Sequence, residues 1–202
     1  MDFDVIYSHS TDAEKIKLNI NEVMRYIGQG KDDEKVRELI EALMPISFEK
    51  AKPRASFVIK KLERKNGALI FGKVKTESES LKKALRDCDS VIAFSMTLGA
   101  STDRLIASKA NDASLCHTLS GIATAIMEEY ADMVCREIGE FLNSKGLHLL
   151  QRFGVGYGDF GLKHQKEILD MCEGYKRCGI TTTDALMLVP SKSITGIMGV
   201  RK

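Results

Sequence analysis

The stretch Gln151-Arg152-Phe153-Gly154-Val155-Gly156-Tyr157-Gly158-Asp159-Phe160 places three glycines within five residues, directly behind an arginine. Alternate glycines let a backbone take positive φ and bring bare N–H and C=O groups against a ligand. Arg152 offers a planar fork for a carboxylate. Tyr157 offers a ring face and a hydroxyl. A small molecule with an anionic group, a cationic group and a flat ring suits such a loop. A plain turn leading into a helix, with a packed tyrosine, is the other reading of the same residues. The spacing G-x-G-x-G lacks the third glycine of the dinucleotide fingerprint, and no Gly-Lys-Ser/Thr follows to make a P-loop.

The chain around this stretch has 202 residues, enough for one domain with a substantial core. A net charge of +2 gives no electrostatic case for nucleic acid or an acidic membrane. The apolar runs are far shorter than a membrane span, and the acidic start Met1-Asp2-Phe3-Asp4 lacks a signal-peptide core. Cys88, Cys116, Cys135, Cys172 and Cys178 are scattered and odd in number, without a C-x-x-C pair. They read as free core thiols of a cytoplasmic protein, and no metal site is expected.

Taken in order, residues 1–52 read as a helical N-terminal part packed on the rest of a single domain, 1–202. Lys17 to Ile20 alternates like a short strand, and Asn21 is placed to cap a helix ending at Gly28. A second helix is expected to begin at Lys31 to Asp33 and to stop or kink at Pro45. Ala55–Leu62 and Ala68–Val74 read as a hairpin across Asn66-Gly67. Ser78 caps a short helix, and Ser90–Thr97 reads as a strand buried on both faces. Asn111 or Asp112 opens a long amphipathic helix to about Asn143, with a possible break at Gly121. Within it, His117 reads as packed or solvated and the adjacent Glu128 and Glu129 as surface charge. Leu147–Gln151 reads as a strand delivering the Arg152 loop, Asp159 as the cap of the helix after it, and Ile194–Val200 as the last strand. Paired strands with grouped helices predict an α+β fold, a twisted and largely antiparallel sheet flanked by long helices.

Arg152-x-x-x-Gly156-Tyr157, together with Pro190-Ser191-Lys192-Ser193-Ile194-Thr195-Gly196, resembles the reactivation domain of cobalamin-dependent methionine synthase. It is most similar to the free-standing version, whose loop tends to read R-F-x-x-G-Y-G-D-F. Asn21-Glu22-Val23-Met24-Arg25-Tyr26-Ile27-Gly28 and Val91-Ile92-Ala93-Phe94-Ser95-Met96-Thr97-Leu98-Gly99 also match, so the resemblance runs along nearly the whole chain. It implies the same α+β fold and S-adenosylmethionine as the ligand.

By that resemblance Arg152 takes the methionyl carboxylate, Tyr157 lies against the ligand, and Gly154 and Gly156 approach it through their backbones. Fused enzymes carry a Tyr-Phe pair where this chain has Met198-Gly199, so those two positions are the expected but altered contact. Gly158-Asp159 stands in place of the Pro-Ala of fused enzymes. The acidic N-terminal ligand residue of fused enzymes has no assigned counterpart among Asp2, Asp4 and Asp12. The resemblance implies a component of a methionine synthase methyltransferase system rather than a complete enzyme, with cobalamin reached only through a partner. That partner is a methionine synthase lacking its own reactivation domain, or another corrinoid protein, with flavodoxin or ferredoxin as electron donor. Two other classes stay open: a scaffold that kept the fold and lost the ligand, and a self-contained small-molecule enzyme.

Overall fold

The computed structural model describes residues 1–28 and 33–202. From the N-terminus, β1 (Ile6–Ser10) is followed by helices α1 (Ile20–Tyr26) and α2 (Glu34–Lys50) and by β2 (Arg54–Lys61). Three short strands, β3 (Glu63–Lys65), β4 (Ala68–Phe71) and β5 (Val74–Thr76), lead to α3 (Glu79–Ala84) and β6 (Ser90–Thr97). Then come α4 (Ala100–Ala107), α5 (Ala113–Asn143) and β7 (His148–Gly154). The chain closes with α6 (Gln165–Met171), α7 (Gly174–Cys178), β8 (Thr181–Thr182), β9 (Leu188–Val189) and β10 (Ser193–Arg201).

The main sheet has the order β1-β2-β6-β10-β7, and every neighbouring pair is antiparallel. This is the expected α+β architecture. All eight residues of β6 are buried, because both faces of the sheet are covered. One face carries Phe57, Ile59, Ile92, Phe94, Met96 and Met198 against α5, with α1 and α2 packed beside it. The other carries Val58, Val91, Ala93 and Ile197 against α3, α6, the loop residue Phe160 and the small β3-β4-β5 sheet. The alternation of sides along each strand produces these two cores from one sheet.

The long helix forms as its sequence predicts. Asp112 accepts a hydrogen bond from Leu115 N at 3.0 Å, and the helix runs unbroken for 31 residues, about 46 Å at ~1.5 Å per residue. Ile122, Ile126, Tyr130, Val134 and Ile138 fall on its buried stripe. Each such aliphatic side chain stabilises the fold by roughly 1.5–3 kcal/mol. Gly121 is a contact point rather than a break. A Cβ there would lie 2.1 Å from Ile27 Cγ2, so glycine lets the end of α1 seat directly on α5. His117 is exposed to solvent, its Nε2 lying 3.0 Å from Ile27 O at the same junction.

Several local expectations are corrected. The N-terminal part is not wholly helical, because Ile6–Ser10 forms the edge strand β1 of the main sheet. Lys17 to Asn19 is not a strand, and Asn19 rather than Asn21 caps α1, accepting from Asn21 N at 3.0 Å. Gly28, at φ 69°, ends that helix as expected. Lys31 and Asp32, where the next helix was expected to begin, lie outside the described residues. Asp33 caps α2, accepting from Val36 N at 3.2 Å.

Pro45 does not stop α2, which continues to Lys50. Pro45 and Glu41 both lie on the exposed side, where solvent can take the carbonyl that a proline frees. The Asn66-Gly67 turn is present, with φ of 50° and 75°, but its arms are β3 and β4. The long strand β2 pairs instead with β1 and β6, so residues 54–61 and 68–71 belong to different sheets.

All five cysteines are free thiols. Among the described residues no helix is long and apolar enough to cross a membrane.

Candidate functional site

Arg152 does not sit in a loop. It belongs to the edge strand β7, paired with Met198 of β10, and the strand continues through Gly154, which pairs with Gly196. Arg152, Gly154, Gly196 and Phe94 therefore share the α5 side of the sheet, Phe94 being opposite Gly196 on β6. Two facing glycines leave a depression there. A Cβ on Gly196 would lie 2.4 Å from Phe153 O and 2.9 Å from the Phe94 ring, which backbone cannot easily yield. The result is an open cleft of about 270 Å³ lined by Phe94, Glu128, Arg152, Gly154, Tyr157 and Ile194.

The turn after β7 folds back over this cleft. Gly156 takes φ 92° and donates from its N–H to Phe160 O at 2.7 Å. Gly158 takes φ 54° and packs so tightly that a Cβ would meet Ser80 Oγ at 2.8 Å. These are conformations that disfavour any residue with a Cβ. Tyr157 is thrown outward, 73% exposed, with one ring edge over Gly154, where a Cβ would lie 3.1 Å from Cδ2. An exposed tyrosine face beside bare backbone is available to a flat ligand.

Asp159 anchors the turn, but not to the helix that follows it. Its carboxylate accepts from Ser78 Oγ, from Glu79 N at 2.6 Å and from Ser80 N at 3.2 Å, capping α3 across the fold. These bonds, the Ser78 hydroxyl first, hold its carboxyl down at about 2, below the ordinary carboxylate range. Because the folded value is depressed, the stabilisation is complete above about pH 4 and is lost as pH falls through about 2. Asp159→Asn should therefore melt below wild type at neutral pH. That gap should close between about pH 4 and pH 2 in thermal melts. A gap independent of pH would show that the carboxylate is not the anchor.

Two acidic side chains on α5 complete the site. Glu128 and Asp132, one helical turn apart, accept from Arg152 Nη2 at 3.1 and 2.7 Å. Glu128 thus faces the cleft and is not an idle surface charge. Both contacts use Nη2, so Nε and Nη1 of the 21% exposed Arg152 keep their donors for a ligand carboxylate. The carboxylates in turn can receive a ligand's positive groups.

At the other end of α5's ridge, Lys192 Nζ donates to Ser120 Oγ and Thr124 Oγ1, both at 2.9 Å. Burial pulls this ammonium below its ordinary pKa. It pins the Pro190–Ser193 turn, and with it Ile194, against the helix.

Of the six residues singled out from sequence, Arg152, Gly154 and Tyr157 line one cleft, and Gly156 shapes its rim. Met198 and Gly199 stand apart from it. Met198 is fully buried under α5, its Sδ 3.4 Å from Cys135 Sγ. Gly199 points the other way, into Cys88, Leu85 and Leu150, at 2.6–3.1 Å from a hypothetical Cβ. Met198 is level with Arg152 on the same side of the sheet, but α5 covers it, so it does not reach the cleft. The sequence reading does not single out Phe94, Ile194 or Asp132 as site residues and takes Glu128 as surface charge; the i,i+4 spacing of Glu128 and Asp132 is the signal the sequence holds for them. No group of three or more metal-ligating side chains converges among the described residues.

Cys135 is the cysteine beside this site. Burial pushes its thiol up to about 11 despite the nearby Arg152, so it is no thiolate at neutral pH.

Layers and strand order define an α+β domain, and its fold is that of the MetH reactivation domain. The chain superposes with a TM-score of 0.71 on the crystal structure of the MetH reactivation domain bound to AdoHcy. The match covers 96% of this chain and 78% of that one at 12% identity, a likeness of fold. No known family's sequence model matches the chain, and no curated protein matches it either.

Proposed function

We propose that the chain binds S-adenosylmethionine, and its product S-adenosylhomocysteine, in the Arg152 cleft. We further propose that it presents the methyl group to the reduced corrinoid of a partner protein. The observation that carries this is the convergence of Arg152, Glu128 and Tyr157 on one glycine-floored depression, with Asp132 paired to Arg152 at its edge. The amino acid end of the ligand is a zwitterion. Its carboxylate suits a donor that Arg152 has left on Nε or Nη1, and its ammonium suits Glu128 or Asp132. The sulfonium also gains from that acidic pair, and the adenine ring suits the exposed Tyr157 face. The fold shared with a domain solved bound to AdoHcy supports the same choice.

At about 270 Å³ the cleft is at the small end for ligand pockets, commonly about 300–1,000 Å³. A ligand of this size would lie across it, partly exposed. Exposure is what a methyl donor needs if the acceptor is bulky and arrives on another protein. The roles of this chain are then to bind, orient and shield one side of the donor, leaving the methyl in line for attack. The corrinoid supplies the nucleophile; the elevated Cys135 thiol does not. The partner fitting this reading is a methionine synthase without its own reactivation domain, or a related corrinoid protein, served by a low-potential electron donor.

Titration calorimetry with S-adenosylhomocysteine tests the binding step. One saturable site per chain is expected. Absence of binding at millimolar ligand would favour a scaffold that kept the fold and lost the ligand.

A further inference from the structure

A second and larger cavity, about 600 Å³, opens at the opposite edge of the same sheet face. One wall is aromatic: Tyr7 of β1 and Phe57 of β2 are cross-strand partners with stacked rings, centroids 5.8 Å apart and planes 15° from parallel. The facing wall is the C-terminal half of α5, where Val134, Ile138 and Phe141 follow one another at helical spacing. Phe141 is 41% exposed, so this apolar slot is incompletely filled by the protein itself.

Its polar groups lie at two ends. At one end His9 Nδ1 lies 3.0 Å from Tyr130 Oη, and Nε2 lies 3.3 Å from Glu137 Oε2. Tyr130 donates its single hydrogen to His9 O at 3.2 Å, so the hydrogen in the Nδ1 contact belongs to the imidazole. Nε2 and the Glu137 carboxylate then face the slot together. Glu137 has acceptor capacity left for a ligand hydroxyl. At the other end Lys145, in the turn just past the end of α5, contributes an exposed ammonium beside Met1 and Asp2, with no carboxylate within ion-pair distance of it among the described residues. Six residues of helix, about 9 Å of rise at ~1.5 Å per residue, run from Glu137 to the end of α5 at Asn143, and Lys145 follows in the turn beyond.

We propose that this slot binds a flat aromatic carboxylate carrying a hydroxyl at its far end. Its ring lies between the Tyr7–Phe57 pair and α5, its carboxylate pairs with Lys145, and its hydroxyl donates to Glu137 beside His9. The site is separate from the Arg152 cleft, which is built from β6, β10 and β7 at the other sheet edge.

The probe is 6-hydroxy-2-naphthoate, followed by its own fluorescence on the full chain, with 2-naphthoate and 2-naphthol as truncated comparisons. The hydroxynaphthoate should bind at one site, about five- to tenfold tighter than either comparison, each of which lacks one polar contact. Lys145→Met should weaken the hydroxynaphthoate about fivefold and leave 2-naphthol unchanged. Glu137→Gln should weaken the hydroxynaphthoate and leave 2-naphthoate unchanged. Both positions are exposed, so both variants should fold, which circular dichroism checks. Saturating S-adenosylhomocysteine should not displace the probe. Equal affinity for all three naphthalenes, insensitivity to both substitutions, displacement by S-adenosylhomocysteine, or no binding at millimolar probe would each overturn the proposal.

Discussion

Arg152→Ala will weaken S-adenosylhomocysteine binding at least about 30-fold, while Tyr157→Phe will weaken it by no more than about tenfold. The first substitution leaves a ligand carboxylate without its partner, a loss of about 2–5 kcal/mol for a desolvated charge pair. It also leaves Glu128 and Asp132, now relieved of Arg152, beside that carboxylate. Like charges at that distance add to the loss. The second substitution keeps the ring over Gly154 and removes one hydroxyl hydrogen bond, about 0.5–1.5 kcal/mol. Calorimetry on both variants decides the order. Wild-type affinity in Arg152→Ala would remove the carboxylate assignment.

Methyl transfer should be all or none with respect to the partner. With methyl-labelled S-adenosylmethionine and a low-potential reductant, no label should move until a corrinoid holoenzyme is added. Label should then appear on the partner's corrinoid, with S-adenosylhomocysteine released in equal amount. The sulfonium already carries the leaving group, and the missing element is a strong nucleophile. Cys172 and Cys178 are buried with their thiols raised, and Cys135 is raised to about 11, so no activated thiolate is offered by these three. Label found on this chain alone would contradict the account, as would no transfer to any corrinoid protein of the host.

The elements that could be read from sequence are those whose signal is local and repeated. The helix α5 has a capping Asp112 and an apolar stripe of nearly nine turns, and β6 is an apolar run between turn residues. The edge strand β1 was missed because Ile6-Tyr7-Ser8-His9-Ser10 is short and polar, and its strand character comes from pairing with β2. The Asn66-Gly67 turn was legible but not the assignment of its arms, since register and sheet membership are long-range properties.

The site divides along the same line. Arg152, Gly154, Gly156 and Tyr157 are neighbours in sequence, so their type and spacing marked them. Glu128 and Asp132 come to Arg152 from 24 and 20 positions away, because α5 crosses over the edge strand. Asp159 reaches back about 80 residues to cap α3, where local reasoning assigned it the next helix. Met198 and Gly199 rested on the family resemblance alone, and they fall on a strand whose alternation buries one beneath α5 and turns the other away.

The most direct test is a crystal structure of the chain grown with saturating S-adenosylhomocysteine. The account predicts density for the ligand across the Gly154–Gly196 depression, with its carboxylate hydrogen-bonded to the Arg152 guanidinium and its ammonium within hydrogen-bond distance of Glu128 or Asp132. The adenine should lie against Tyr157. Ligand bound elsewhere, or an empty cleft at saturation with Arg152 still held only by the acidic pair, would contradict it.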